Sequence, residues 1–405
     1  MKMGININEL FKGVAVVIDD QVNDPKANIQ KVLEQIISLH IPVVKYTNIP
    51  NEDDVSHFQS LSFVFLDWQL VKQDIADADT INGVSIPSGL EYENSKKNIE
   101  FIKKLNEICY CPVFIFTNDI KDNIESTLYS AKIYKRDSQN NIFIEQKSSL
   151  QQKNSFQKVV ENWIKKNPSV YVLKEWEREY QKCKSRLFFD FQQMSPVWPQ
   201  VMWKCFNEDG CNKSLELGEL ISGNLYTRMK PFNFNEDLLK GTYCIDDNCA
   251  ELRKVLEGSL FLKEESLHDD NIAPGDLFYY SSCYFVNIRA TCDLIPNRDD
   301  TRFTIDDVDL YLLKGSKLSN KKTNYSFNKN YGHFDEREGQ TVIFPLHGGK
   351  AIDFRFKTIV IKKWQEIKDK RIGRILPPYI TKIQQRFALY LHRQGLPRIP
   401  EEAIF

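Results

Sequence analysis

The chain has 405 residues, 42% hydrophobic and 27% charged, more than one hydrophobic core usually organises, so two or three domains are expected. A formal net charge of −1 gives no basic signature of a nucleic-acid or membrane-surface partner. No apolar run reaches the ~18–20 residues of a membrane span, the first residues (MKMGININELFKG) lack a signal-peptide core, and nine cysteines are too few for a disulfide scaffold, so a cytoplasmic protein with free thiols is expected.

Residues 13–18 (GVAVVI) form a continuous apolar run, the pattern of a strand buried on both faces of a parallel sheet. Residues 27–39 put Ile29, Val32, Leu33, Ile36 and Ile37 on one helical face. Further strands are predicted at 42–46, 62–66 and 112–116, with a weaker fifth at 131–134. Residues 71–94 are polar and punctuated by Gly and Pro, and a helix follows at 96–108. Repeated strand–helix units imply an α/β, doubly wound parallel five-stranded domain over residues 1–145.

From about 155 the pattern turns helical and aromatic, with Phe156, Trp163, Trp176, Tyr180, Leu187 and Phe191 among its apolar positions. Shorter helices are predicted near 214–229 and 248–257, giving a helical domain at 155–265. Pro274-Gly275-Asp276 then opens a β-rich, barrel-like domain at 270–405. Its expected strands include 284–288, 308–313 and 352–356, the last with Ile352, Phe354 and Phe356 inward after a Gly348-Gly349 turn. Residues 314–332 read as a mobile loop, and a closing helix carries Ile380, Ile383, Phe387 and Leu391 on one stripe.

The chemical signal lies at the C-terminal ends of the N-terminal strands, where open α/β sheets bind ligands. The first strand ends in Asp19-Asp20, the third in Asp67 and the fourth in Thr117, and Lys135 follows the fifth. Three carboxylates at one rim repel one another unless a cation joins them, and Mg²⁺ suits a site of few carboxylates and a phosphate oxygen. One carboxylate can then attack phosphorus while a hydroxyl and an ammonium hold the remaining oxygens. Taken singly, Asp19 or Asp67 is equally an N-cap, and Thr117 before Asn118-Asp119 equally a turn former.

This ordered set resembles the receiver domain of two-component response regulators, over residues 13–140. The resemblance implies that Asp67 accepts phosphate from a histidine kinase or phosphotransfer protein. It implies that Asp19, Asp20, Asp67 and the carbonyl of Gln69 bind Mg²⁺, and that Thr117 and Lys135 hold the phosphoryl group. Three departures stand out: a long segment between Asp67 and Thr117, Arg136 in place of proline after Lys135, and Lys132 where the family has an aromatic. A pseudo-receiver that only docks partners remains an alternative.

Cys205, Cys211, Cys244 and Cys249 have spacers of five and four residues. The first exceeds the roughly two to four residues usual between paired zinc ligands, which favours free thiols. The six histidines show no paired spacing, and nucleotide-loop and nucleophile-elbow motifs are absent. The step Cys292-Asp293 at the end of the 284–294 run, with the ending from Leu376-Pro377-Pro378 to Gly395-Leu396-Pro397, resembles the C-terminal half of atypical receiver proteins of phage-defence loci such as Detocs. That resemblance implies a phosphorelay component, a phosphate sink or a partner of another receiver-bearing effector. A phosphorylation-switched enzyme in the C-terminal half is the rival reading.

Overall fold

The structure, a computed structural model, describes residues 6–403 except 71–87, 119, 137, 151, 153, 209–211, 230, 241–248, 269–270, 296–303 and 395–398. Two units separate by internal packing: Met1–Pro196 with Ser222–Gly241, and Val197–Ile221 with Thr242–Phe405.

In the first unit, strands β1 (Ala15–Ile18), β2 (Val43–Tyr46), β3 (Phe63–Asp67), β4 (Val113–Thr117) and β5 (Ile142–Gln146) form one sheet. Every pairing is parallel and the order is β2-β1-β3-β4-β5. Helices α1 (Ile7–Leu10), α2 (Ile29–Ser38), α3 (Glu52–Ser56), α4 (Ser88–Ile108), α5 (Lys121–Ser130), α6 (Ser155–Lys166) and α7 (Pro168–Met194) accompany it. Because side chains alternate along a strand, each strand feeds two cores. Ala15, Val17, Phe63, Phe65, Phe114 and Phe116 pack with α1, α2, α6 and the start of α7. Val16, Ile18, Val64, Leu66, Val113 and Ile115 pack with α3, α4 and α5. The expected five-stranded parallel α/β sheet is present.

The fifth strand lies elsewhere than the sequence suggested. Residues 131–134 close α5 in a turn, with Lys132 at φ +62°, and the strand is Ile142–Gln146. Its Ile142 and Ile144 are buried while Phe143 faces the opposite core, an alternation set inside a polar stretch. The aromatic helix α6 shares the sheet's core through Phe156, Val160, Trp163 and Ile164.

Helices α8 (Trp198–Glu208), α9 (Lys213–Arg228), α10 (Glu236–Leu239) and α11 (Cys249–Leu260) follow. The remaining strands are β6 (Phe261–Lys263), β7 (Asp276–Tyr280), β8 (Cys283–Asn287), β9 (Asp309–Lys317), β10 (Phe327–Asn328), β11 (His333–Phe334), β12 (Gln340–Leu346), β13 (Lys350–Lys363) and β14 (Arg371–Ile375). Seven of them form an open antiparallel sheet, β12-β13-β9-β8-β7-β14-β6, curled into a half-barrel. Ile352, Phe354 and Phe356 face its core beside Ile380, Ile383 and Phe387 of the last long helix, Tyr379–Leu391. Leu391 is instead 64% exposed. Gly348 and Gly349, at φ +74° and +66°, turn β12 into β13, and both amides donate to the Glu257 carboxylate. The expected loop at 314–332 is in part the end of β9, a helix at Asn320–Ser326 and β10. Among the described residues no helix is long and apolar enough to cross a membrane.

Candidate phosphoryl-acceptor site

Strand register assembles the site. Ile18 pairs with Leu66, and Asp67 stands level with Phe116 and Glu145 on the neighbouring strands. Asp19 and Asp67 continue the parity of Val17 and Phe65, so both fall on the α2–α6 face at one rim. This rim lies at the C-terminal ends of β1 and β3, where the strand order reverses and open sheets leave a crevice. Asp19 and Asp67 are buried and Asp20 is half-buried, and their oxygens lie within 4.8 Å of one another. The three carboxylates could together hold a metal ion.

A lysine already answers their charge. Lys147 Nζ donates to Asp67 Oδ2 at 2.6 Å and to Asp19 Oδ2 at 3.2 Å. Lys147 opens the 3-10 turn Lys147–Leu150 directly after β5. Burial pushes the Asp67 carboxyl up to about 6, against the pull of Lys147 and with added repulsion from Asp19. Asp20 is raised by burial and by Asp19. Burial opposes the charge on Lys147, yet attraction to Asp67 and Asp19 outweighs it and leaves its pKa above the ordinary lysine value. Displacements of this kind come from burying like charges together around one ammonium.

The surrounding loops are fixed by side-chain amides. The Gln69 amide donates to Asp67 Oδ1 at 3.2 Å, closing a tight turn after β3. Asn98 on α4, itself 1% exposed, donates to the Trp68 carbonyl at 2.9 Å, and Asn94 one turn earlier donates to the Leu70 carbonyl at 3.0 Å. Gln35 on α2 donates to the Leu150 carbonyl at 3.1 Å and accepts from the Phe156 amide at 3.0 Å, tying the Lys147 turn and the start of α6 to α2. A cleft bordered by Asp19, Gln21, Asn28, Phe65, Asn118 and Lys147 opens beside the carboxylates. Its volume of about 90 Å³ is well below the roughly 300 Å³ at which pockets for larger organic ligands begin.

Thr117 is fully buried as the last residue of β4, one step beyond the residue level with Asp67. Lys135 is a correction. It is exposed in the loop after α5, where its amide donates to Asn140 and its carbonyl accepts from the same side chain. The ammonium at the carboxylates is that of Lys147, reached only because the strand ends at Gln146. The sequence signal is the Ile142-Phe143-Ile144 run, two hydrophobic parities set between polar flanks. Asn94 and Asn98 carried no signal, since an Asn on a helix is uninformative until its partner carbonyl is known.

In the second unit, Cys292 is exposed on the 3-10 turn Thr291–Leu294 with its thiol 3.5 Å from Asp293. Cys205 is exposed, whereas Cys211, Cys244 and the Cys249 side chain lie outside the described residues, as do residues 71–87 and 395–398. No protein-family model matches the chain, and no curated protein matches it either.

Chemically, the rim offers three carboxylates able to share a cation, one of them buried and in contact with an ammonium. The donor set is all hard oxygen, which fits Mg²⁺ or a similar ion.

Proposed function

We propose that the N-terminal unit is a receiver domain that takes a phosphoryl group on Asp67 from a phosphohistidine of a kinase or phosphotransfer protein. The observation that carries this reading is the contact of Lys147 with both Asp67 and Asp19 at the switch point of a β2-β1-β3-β4-β5 parallel sheet. An Asp67 oxygen attacks phosphorus in line. The new O–P bond forms as the P–N bond to the donor imidazole breaks, and the imidazole leaves with a proton from solvent. Asp19, Asp20 and Asp67, with the Gln69 carbonyl, are the residues that would hold Mg²⁺. The bound ion supplies neutralisation of the phosphoryl oxygens. Lys147 turns from its carboxylates to an oxygen of the acyl phosphate, and Thr117 supplies a hydroxyl at the neighbouring strand end.

The output we infer is non-enzymatic: a phosphorelay component or phosphate sink, in keeping with the resemblance to phage-defence receivers. Cys292 and Asp293 lie on an exposed turn, so the thiol is not part of the core of the second unit. Incubation with acetyl phosphate and Mg²⁺ tests the central claim. One hydroxylamine-sensitive adduct is expected, absent in Asp67→Asn; equal labelling of that variant would overturn the assignment.

A further inference from the structure

In the second unit, the turn from β12 to β13 carries three consecutive residues at positive φ: His347 at +38°, Gly348 at +74° and Gly349 at +66°. Successive amides of such a turn converge, and the concavity they form attracts anions. Here the chain fills it with a side chain of its own. The Gly348 amide donates to Glu257 Oε1 at 2.9 Å and the Gly349 amide to Glu257 Oε2 at 2.7 Å, one oxygen for each donor. Glu257 lies in the last turn of α11, where the helix dipole disfavours a carboxylate, so its placement answers the β-turn and not its own helix. The turn has supports of its own. Leu346 pairs with Lys350 across it, and His347 meets the Phe261 ring at 6.2 Å and the Tyr284 hydroxyl at 3.4 Å from Nδ1. Positive charge around the turn exceeds what Glu257 answers. Arg253, one helical turn before Glu257, lays its stem over Gly349, with Cδ and Cβ 3.6 and 3.7 Å from where a Cβ on that glycine would stand. Among the described residues neither Arg253 nor Lys350 makes an ion pair. Little else holds α11: Leu252, Val255 and Leu256 are exposed, and of its described apolar side chains only Leu260, at its end, is buried.

We propose that the Gly348-Gly349 turn is a binding site for a phosphate group, which Glu257 occupies as a built-in plug. A phosphate dianion has the oxygens to take both amides and the charge to draw in Arg253 and Lys350, where a carboxylate brings a single charge. On its entry the Glu257 side chain swings to solvent. The phosphate then bridges the turn amides to Arg253, so α11 stays attached through the ligand in place of its own carboxylate. Because Glu257 is tethered, its effective concentration at the turn is about millimolar or higher, and a free anion has to outcompete it. The wild-type site is therefore weak for simple phosphate and strengthens once the plug is removed. The amides recognise the phosphate group itself, which inorganic phosphate and a phosphomonoester share.

The test uses the full chain without Mg²⁺ at about pH 7.5, where a phosphomonoester is close to dianionic. The probes are inorganic phosphate and glycerol 2-phosphate, with chloride at matched ionic strength as the control. In Glu257→Ala, amide exchange across 249–260 should rise several-fold over wild type, and phosphate should bring it back down. In chains carrying ¹⁵N-glycine, the Gly348 and Gly349 amide signals should shift saturably, about tenfold tighter in Glu257→Ala than in wild type. Adding Arg253→Ala should weaken that binding about fivefold. Glu257→Gln, which keeps an acceptor oxygen without the charge, should fall between wild type and Glu257→Ala. Equal binding of the two probes supports a site open to phosphomonoesters, and binding of inorganic phosphate alone supports a site for the free ion. No saturable shift of either amide below about 50 mM phosphate in Glu257→Ala would overturn the proposal. The same shifts with chloride would do so too, as would α11 exchange that phosphate leaves raised.

Discussion

Lys147 Nζ bridges Asp67 Oδ2 and Asp19 Oδ2 at 2.6 and 3.2 Å, so one ammonium sits between the carboxylate read as the phosphoryl acceptor and a carboxylate read as a metal ligand. The bridge has a consequence for both roles. A cation entering the carboxylates competes with Lys147 for the same oxygens, and a phosphoryl group on Asp67 removes one of them from the pair. On the proposed reading, Lys147 would thereby be released toward the new phosphoryl oxygens.

Lys147→Ala is therefore expected to cut phosphorylation by acetyl phosphate about 10- to 100-fold, the value of one charge-assisted hydrogen bond of about 1.5–3 kcal/mol. Lys135→Ala should leave the rate unchanged. Rates followed by phosphate-affinity gel mobility check this, and the reverse ranking would return the role to Lys135.

Asp20→Asn should weaken Mg²⁺ binding about tenfold or more, because one of three hard anionic donors is lost. With no added metal the same variant should be slightly more stable, by about 0.5–1 kcal/mol, since a half-buried carboxylate held against Asp19 is relieved. Calorimetric titration with Mg²⁺ and denaturant melts read the two effects separately. Unaltered Mg²⁺ affinity would remove Asp20 from the ligand set.

Much of this rim was legible in the sequence because strand ends are. Runs such as FVFL ending in Asp67 and VFIF ending in Thr117 declare both the strand and its last residue. Parallel register then brings those residues together without further information. Lys147 escaped because β5 is an edge strand, short and flanked by Asn, Glu and Gln, so its apolar content is diluted. The boundary of the helical region escaped for a related reason. The apolar stripe of α6 is visible, but which surface it covers depends on the unpaired face of a sheet more than a dozen residues away. In the second unit the β13 alternation and the Gly348-Gly349 turn were readable, whereas the salt-bridged pairs Arg374–Asp276 and Arg371–Glu264 were not. Partners roughly a hundred residues apart leave no local pattern.

Asn98→Ala is expected to destabilise the first unit by about 1–3 kcal/mol, because the Trp68 carbonyl loses its buried donor. The turn carrying Gln69 should then loosen and Mg²⁺ affinity should fall, even though Asn98 bears no charge. Asn94→Ala, at a more exposed contact, should do less. Thermal melts with and without Mg²⁺ separate the fold effect from the site effect, and an unchanged melting temperature for Asn98→Ala would show that the carbonyl is satisfied otherwise.

In the second unit the pH dependence of stability should carry the mark of Glu336. Burial alone would raise its pKa, but hydrogen bonds from Thr341, Lys382 and the Val342 amide hold it below the ordinary glutamate value. A carboxyl depressed in the folded state stabilises fully above its unfolded pKa of 4.5 and loses that contribution as pH falls through the folded value. Melts of the wild type should thus weaken on acidification below about pH 4.5 more steeply than those of Glu336→Gln. At pH 7 the variant should be less stable by about 1–3 kcal/mol, having lost charged partners at Lys382 and Arg386. Parallel acid slopes for the two proteins would contradict the assignment.

Phosphorylation is expected to act through α6 and the turn that carries Lys147, without opening the β-rich unit. The route is aromatic and continuous. Phe65, two residues before Asp67, stacks on Phe116, the residue before Thr117, at 5.0 Å. Phe116 meets Phe143 of β5 at 6.1 Å, and Phe143 meets Trp163 of α6 at 5.6 Å. Gln35 adds a polar clasp from α2 to Leu150 and Phe156, so a shift of Lys147 bears directly on the first turn of α6. Close-packed rings pass on small displacements because the core has no slack to absorb them. Beryllofluoride, which stands for the phosphoryl group on Asp67, should therefore change amide exchange across 63–70, 113–118 and 142–166 while leaving 261–375 as it was. Gln35→Ala should confine the change to the strand ends and the Lys147 turn, with no effect on whether Asp67 accepts phosphate. Broad deprotection of the β-rich strands on adding the mimic, together with a new hydrolytic activity, would show that the second unit is a switched enzyme and the sink reading mistaken.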